Sequence, residues 1–167
     1  DVKNKVCLDI GSSTGGFTDV LLTKGVKKVY AVDVGYGQFD WRLRNSEKVI
    51  LIERTNARNI SHKIIKEKID IIVCDVSFIS LKMVLNPSLK LLKNNFTIIA
   101  LIKPQFEVEK KKIGKGGIIK SPEIHQEVCT DIENWAKQNI NYKSIKIIDS
   151  PILGQKGNKE FFIYIQN

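Results

Sequence analysis

The sequence predicts an α/β fold: a doubly wound, mostly parallel sheet of seven strands, with helices on both faces and an antiparallel last strand. Short Ile- and Val-rich segments alternate with amphipathic ones along the chain, as in sheets that helices cover on both sides. A glycine-rich turn follows the first apolar segment, as in nucleotide-binding α/β folds. The last two apolar segments are joined by a loop too short for a crossover helix, so we expect them to pair antiparallel.

The individual elements follow from apolar runs and helical periodicity. We predict strands over Val6–Ile10, Lys28–Val32, Val49–Glu53, Ile69–Asp75, Phe96–Ile102, Ser144–Ile148 and Glu160–Ile165. We predict helices over Gly16–Lys24, Ser61–Lys66, Ser80–Lys93 and Pro122–Asn139. These elements make one domain of residues 1–167. Because Asp1 stands directly before a strand without an initiator Met, we expect the chain to be a fragment.

The segment Val6–Asp19 gives the clearest sign of a ligand site. Its strand runs into a glycine-rich turn that opens a helix, so backbone N–H groups point towards a ligand that a Cβ would exclude. An acid that follows such a turn by about 20 residues accepts hydrogen bonds from a ribose. The pattern predicts a nucleoside-cofactor site formed by Asp9, Gly11, Ser12, Ser13, Thr14, Gly15, Gly16, Asp33 and Val34.

Two other interpretations of this turn are weaker. Gly11–Gly15 matches G-x-S-x-G, the nucleophile elbow of α/β hydrolases, with Ser13 as the nucleophile. However, the turn follows the first strand, and His125 falls early in a predicted helix rather than on a late loop. The turn also lacks the second glycine of G-x-G-x-x-G, which favours another adenosine cofactor over a dinucleotide.

Three charged residues fall at predicted strand ends. Asp75 and Lys103 end neighbouring central strands, and Glu160 begins the antiparallel last strand, which brings it to the same edge. We therefore predict that an acid, a lysine and a second acid converge beside the glycine turn, and that Asp75 also contacts the cofactor. An ion-pair network that closes the top of the sheet is the alternative. Pro104 favours a site, because it keeps Lys103 out of helical geometry and removes a ladder donor.

The charge of the chain indicates a polyanionic partner. With 27 basic and 18 acidic residues the net charge is +9, and nucleic acid is the first candidate. A lysine-rich genomic bias explains the lysines but not the shortage of acids. The loops Gly35–Lys48 and Gln105–Lys120 follow strand ends and offer aromatic rings for stacking and lysines for phosphates. A solvated loop is the alternative for Lys110–Lys115.

The cysteines argue against a metal-binding protein, and the longest apolar run argues against a membrane-spanning one. Cys7, Cys74 and Cys129 show no metal-ligand spacing, so we predict buried free thiols in a reducing cytoplasm and no metal site. The longest apolar run, Phe96–Ile102, is too short to span a membrane. We therefore expect a cytoplasmic protein without a membrane partner.

The chain resembles the TlyA family, also called hemolysin A, in six ordered motifs: LDIGSSTGGFTD, AVDVGYGQ, CDVSFISL, LIKPQFE, GGIIKSPEIHQEV and GNKEFF. That family is similar to the FtsJ-type RNA 2′-O-methyltransferases. The resemblance implies a class I S-adenosylmethionine-dependent methyltransferase fold, S-adenosyl-L-methionine as cofactor, and ribosomal RNA or a ribosomal subunit as substrate. By analogy with this fold class, Asn56 and Ala57 contact the adenine.

The resemblance also implies the catalytic residues. Such enzymes use a Lys-Asp-Lys-Glu set, of which Asp75, Lys103 and Glu160 match by motif. The first lysine of the set and an S4-type RNA-binding domain lie upstream in the family and have no counterpart in this chain. Two roles stay open for Lys103: a general base made neutral by burial and the second lysine, or an ammonium that holds the ribose hydroxyl.

Three other functions compete with RNA methylation. The family's older name suggests a membrane-active hemolysin, but no spanning segment or basic amphipathic helix supports it. A non-catalytic module that binds ribosomes or RNA would not need the acid–lysine–acid set. A small-molecule methyltransferase would not need the net charge of +9. The sequence does not specify the nucleotide, the ribosomal subunit or the oligomeric state.

Overall fold

The computed structural model describes residues 1–167 and contains a seven-stranded sheet with five α-helices. The strands are β1 (Val6–Ile10), β2 (Lys28–Val32), β3 (Val49–Ile52), β4 (Ile69–Cys74), β5 (Leu92–Ile102), β6 (Ser144–Asp149) and β7 (Phe161–Gln166). The helices are α1 (Gly16–Thr23), α2 (Trp41–Arg44), α3 (Leu81–Ser88), α4 (Pro104–Glu107) and α5 (Pro122–Asn139). Short 3₁₀ turns lie at Ala57–Asn59, Leu89–Leu91, Lys110–Lys112, Lys115–Gly117 and Gln155–Gly157.

The strand order is β3-β2-β1-β4-β5-β7-β6. All neighbours are parallel except β7, which runs antiparallel to both β5 and β6. The predicted fold class and the terminal antiparallel pair are therefore confirmed. The direction of strand progression reverses between β1 and β4, and in open α/β sheets ligands bind at the carboxyl ends of the strands near such a point.

Both faces of the central strands are buried. Successive side chains of a strand point to opposite faces, so Leu8 and Ile72 belong to a large apolar cluster, while Cys7 and Val73 belong to a smaller one beside α1. This two-sided burial explains the continuous apolar runs in the sequence. The predicted burial of the three cysteines is confirmed, and burial raises the pKa of Cys7 to about 12. None of the helices is long and apolar enough to cross a membrane.

The prediction of a helix over Ser61–Lys66 is wrong. The segment forms one turn, in which the amides of Ile64 and Ile65 both donate to the Ser61 carbonyl. A segment this short forms too few hydrogen bonds to offset the free-energy cost of helix nucleation. The helix predicted over Ser80–Lys93 ends at Ser88, and Lys93 already lies in β5. The four-residue helices α2 and α4 were not predicted.

Candidate active site

Two neighbouring clefts open at the carboxyl ends of the parallel strands. The first, of about 260 Å³, is lined by Gly11, Val32, Asp33, Val34, Thr55, Asn56, Ala57, Arg58, Val76, Ser77, Phe78, Ile79 and Val84. The second, of about 310 Å³, is lined by Ser13, Asp75, Ser77, Lys103, Gln105, Phe106, Gly154, Gln155 and Glu160. Ser77 lines both clefts, so they are adjacent.

The glycine turn brings β1 close to β4. Gly11 has φ +78°, and a Cβ there would lie 2.3 Å from the carbonyl oxygen of Asp75. Only glycine permits this approach. Gly15 has φ +104° where α1 begins, and its Cβ would lie 2.4 Å from Leu43. These two glycines therefore shape the turn that separates the clefts.

Asp33 connects the glycine turn to the loop after β2. One carboxylate oxygen accepts from the Ser13 amide at 2.7 Å. The other accepts from the Gly35 amide at 2.7 Å and from Gln38 Nε2 at 3.2 Å. A carboxylate has about four lone-pair sites, so this one keeps acceptor capacity for a ligand hydroxyl.

Asp9 lies behind the clefts rather than in them. It is fully buried, and one carboxylate oxygen accepts from Thr18 Oγ1 at 2.7 Å while the other has no partner. Burial raises the pKa of Asp9 to about 6, against an ordinary value of 3.8. Ser12 is also buried, with an unpartnered hydroxyl.

The structure thus divides the predicted cofactor residues into three groups. Gly11, Asp33, Val34, Asn56 and Ala57 line the first cleft, whereas Ser13 and Asp75 line the second. Asp9, Ser12, Thr14, Gly15 and Gly16 line neither cleft and form the turn and its support. The Thr14 carbonyl, for example, accepts from the Asp40 amide at 3.0 Å at the start of α2. The cofactor role of all these residues remains a prediction.

The acid, the lysine and the second acid meet in the second cleft. Lys103 Nζ lies 2.5 Å from Asp75 Oδ1, an ion-pair contact without hydrogen-bond geometry, and donates to Ser77 Oγ at 3.1 Å. The Lys103 side chain is only 12% exposed, against 41% for Asp75. Pro104 begins α4, so Lys103 has an extended backbone, as predicted.

Glu160 is buried and also lines this cleft. Gln105 Nε2 donates to Glu160 Oε1 at 3.3 Å, and the other side-chain atom of Gln105, Oε1, is buried without a partner. Gly154 packs against the same carboxylate, since a Cβ there would lie 1.9 Å from Glu160 Oε1. Sequence reasoning missed both neighbours, although Gln105 stands in LIKPQFE and Gly154 is one of two glycines in the last loop.

An aromatic pair connects the linings of the two clefts. Phe78 lines the first cleft and Phe106 the second, with ring centroids 4.9 Å apart. Phe78 is 82% exposed and has φ +65°, which is unusual for a bulky residue. Strained backbone of this kind clusters at functional sites. No sequence pattern had indicated this pair.

The hydrolase interpretation lacks a histidine base. Ser13 lines the second cleft, but His125 Nε2 contacts the Ile119 carbonyl at 3.2 Å and His62 Nε2 contacts the Lys90 carbonyl at 3.2 Å. Neither histidine lines the cleft of Ser13, so the chain does not offer a Ser–His pair there.

Residues 1–167 match the family model of the FtsJ-like methyltransferases. This chain belongs to the FtsJ-like methyltransferase family. The family and the fold class that the motifs implied are therefore confirmed. The cleft that Asp75, Lys103 and Glu160 line, and the first cleft beside it, therefore belong to an FtsJ-like chain.

Several relatives of this FtsJ-like chain are close. It is 41% identical to the 16S/23S rRNA (cytidine-2′-O)-methyltransferase TlyA of Mycobacterium tuberculosis, over 99% of the chain and 61% of that protein. It is 43% identical to hemolysin A of Brachyspira hyodysenteriae, over 98% of the chain and 68% of that protein. A crystal structure of a candidate hemolysin from Lactococcus lactis superposes with a TM-score of 0.92 at 42% identity, over 99% of the chain and 79% of the other. The chain spans about three fifths of the Mycobacterium relative.

Proposed function

We propose that this chain is one methyltransferase domain that uses S-adenosylmethionine to methylate a ribose 2′-hydroxyl of cytidine in ribosomal RNA. The observation that carries the proposal is the meeting of Asp75, Lys103 and Glu160 in one cleft of an FtsJ-like chain. The relative from Mycobacterium tuberculosis is named for this reaction on cytidine. Because ribosomes are assembled in the cytoplasm, we place the protein there.

The residues of the first cleft fit the nucleoside part of the cofactor. Gly11 lines this cleft, and Asp33, which also lines it, keeps acceptor capacity for ribose hydroxyls. Val34, Asn56 and Ala57 line the same cleft, and we assign Asn56 and Ala57 to the adenine. The turn from Gly11 to Gly16 would hold the methionine part, and Ser13 of this turn lines the second cleft. When bound, S-adenosylmethionine supplies a methyl group that its sulfonium already activates.

The protein has to position the ribose hydroxyl and remove its proton. Lys103 lines the second cleft and reaches both Asp75 and Ser77. Its contact with Asp75 is an ion pair. RNA that covers the cleft excludes water, which disfavours a charged lysine, so we assign Lys103 as the base that takes the 2′-hydroxyl proton.

The two acids position this amine. Asp75 contacts Lys103 directly, whereas Glu160 accepts a hydrogen bond from Gln105. Both carboxylates favour the charged amine, so the desolvation on RNA binding has to outweigh them. A Lys103 that stays protonated would instead donate a hydrogen bond to the 2′-oxygen while the methyl group is transferred.

The surface around the clefts suits RNA. The exposed ring of Phe78 offers a face on which a nucleobase can stack. Lys110, Lys115 and Lys120 are exposed and form no ion pair, so they are free to contact phosphates. The net charge of +9 favours the approach of a polyanion.

Labelled methyl transfer tests this function. The full-length protein that carries this chain is incubated with S-adenosylmethionine labelled in the methyl group and with unmodified 16S and 23S rRNA. We expect label on one or a few cytidine 2′-oxygens, mapped by the resistance of 2′-O-methylated positions to alkaline cleavage. A Lys146→Ala variant, changed at an exposed position on β6, should transfer normally. Label on a base or on no RNA would reject the proposal.

A further inference from the structure

Asn158 joins two loops that are distant in the sequence. Its side-chain oxygen accepts from the Ile119 amide at 3.0 Å, and its side-chain nitrogen donates to the carbonyls of Gly117 at 3.0 Å and Gln155 at 3.2 Å. The residue is only 3% exposed. The side chain therefore uses its acceptor and both donor hydrogens inside the protein.

One of the two loops, residues 154–158, leads directly to the carboxylate of Glu160. Residues 154–158 precede Glu160, and the Gly154 amide donates to the Asn158 carbonyl at 2.8 Å. Gly154 packs against the Glu160 carboxylate, and Gln155 lines the same cleft. The conformation of this loop thus decides where the carboxylate can lie.

The second loop belongs to the basic segment, which we define as residues 110–120. Its 114–119 part turns at Gly116 and Gly117, both with positive φ, and carries the exposed Lys115. The hydrogen bond that Asn158 donates to the Gly117 carbonyl and the one that it accepts from the Ile119 amide are the only ones that join residues 114–119 to residues 154–158. These two hydrogen bonds are therefore the polar link between the basic segment and the loop of Glu160.

We propose that Asn158 is a positioning residue that couples the basic segment to Glu160. RNA phosphates that bind the basic segment then restrain the loop that holds the carboxylate, so the cleft is set for reaction when RNA is present. The inference rests on the proposed function for its biological meaning. The coupling itself can be measured without methyl transfer.

Hydrogen exchange measures the coupling directly. We compare the full-length protein with its Asn158→Asp variant, which keeps the acceptor but loses both donor hydrogens. Loss of buried hydrogen bonds should speed amide exchange about 10-fold in residues 114–119 and in residues 154–160 together. Asn139→Asp is the matched control, because Asn139 also donates to a backbone carbonyl, that of Trp135 at 2.8 Å, at the end of α5. It should leave both loops unchanged.

A double-mutant cycle shows whether Asn158 acts through Glu160. We expect Asn158→Asp to lower kcat about 10-fold in the wild-type background and less than about 2-fold in a Glu160→Gln background. Asn158→Ala, which also removes the acceptor, should behave in the same way. Because it adds no charge, it shows that the effect does not come from the carboxylate that Asn158→Asp introduces. A residue that only stabilises the fold would give additive effects on kcat.

The outcomes separate the inference from the proposed function. Faster exchange in both loops with a non-additive cycle supports the coupling. Exchange that changes in neither loop, or only in residues 154–160, overturns it, as do additive effects. If the wild-type protein transfers no methyl group, the proposed function fails, and the exchange result alone decides whether Asn158 couples the loops.

Discussion

The chemistry of the site depends on how closely individual side chains are held. Lys103 contacts Asp75 and Ser77. Glu160 accepts a hydrogen bond from the side-chain amide of Gln105 and packs against Gly154, which has no Cβ to displace it. An active-site displacement of about 1 Å can cost two orders of magnitude in rate. Substitutions that move these groups without unfolding the domain are therefore the sharpest probes at this scale.

Gly154→Ala should impair catalysis more than stability. The added methyl group would lie 1.9 Å from Glu160 Oε1, so either the carboxylate or the loop has to move. Gly154 has φ −76°, which alanine adopts without strain. We expect kcat to fall about 10- to 100-fold, with little change in the melting temperature. Wild-type kcat in this variant would show that the carboxylate position does not matter.

Lys103→Arg distinguishes the two roles of the lysine. Arginine keeps the positive charge and the donors but does not release a proton in proteins. If Lys103 is the base, the variant should lose about 100-fold or more in kcat, and raising the pH should not restore the rate. Near-normal activity would instead assign Lys103 as a hydrogen-bond donor to the 2′-oxygen. The pH–rate profile of the full-length enzyme is the measurement.

Asp9 should make stability depend on pH. Its pKa in the folded protein is about 6 against an ordinary 3.8, so its favourable contribution is complete below pH 4 and is lost as the pH rises through 6. Asp9→Asn keeps an acceptor for Thr18 and carries no charge. The variant's free energy of unfolding, relative to wild type, should therefore rise by roughly 2–3 kcal/mol between pH 4 and pH 7. Denaturant titrations that show a constant difference would contradict this.

At the scale of the elements, the strands were predictable and the short helices were not. Each predicted strand appears, because two-sided burial forces a continuous apolar run that sequence shows directly. Asp75 and Lys103 could therefore be located at neighbouring strand ends. α2 and α4 have four residues each, too few for periodicity to reveal.

The contacts around the site were less predictable than the strands. Glu160 was placed by strand direction, but its neighbour Gln105 lies in the short helix α4 and its neighbour Gly154 in the last loop. Loop conformation depends on tertiary hydrogen bonds such as those of Asn158, which leave no periodic signal in the sequence. Phe78 was missed because its exposure and its positive φ are visible only in three dimensions.

The whole molecule has an excess of positive charge that RNA binding should reveal. Lysines that contact phosphates release counterions, so the dissociation constant should rise with salt. All five lysines of the basic segment are near its surface, but Lys111 and Lys112 form ion pairs with Glu109 and Glu127. Lys110, Lys115 and Lys120 form none.

Removal of these free charges should weaken the salt dependence of RNA binding. Replacing Lys110, Lys115 and Lys120 by Ala should lower the slope of log affinity against log salt by about 2. The same replacement at the exposed Lys24, Lys143 and Lys146 is the charge-matched control and should lower it less. Fluorescence anisotropy with an rRNA fragment gives the slopes. Equal slopes in the two triple variants would mean that the basic segment does not contact phosphates.

The central claim is that Asp75, Lys103 and Glu160 act together on a ribose hydroxyl beside a bound methyl donor. The most direct test measures methyl transfer to rRNA and, by calorimetry, S-adenosylmethionine binding for Asp75→Asn, Lys103→Ala and Glu160→Gln. We expect Lys103→Ala and Glu160→Gln to bind the cofactor within about threefold of wild type, and all three variants to lose about 100-fold or more in transfer rate. Transfer at the wild-type rate by any two of the three variants would contradict the account.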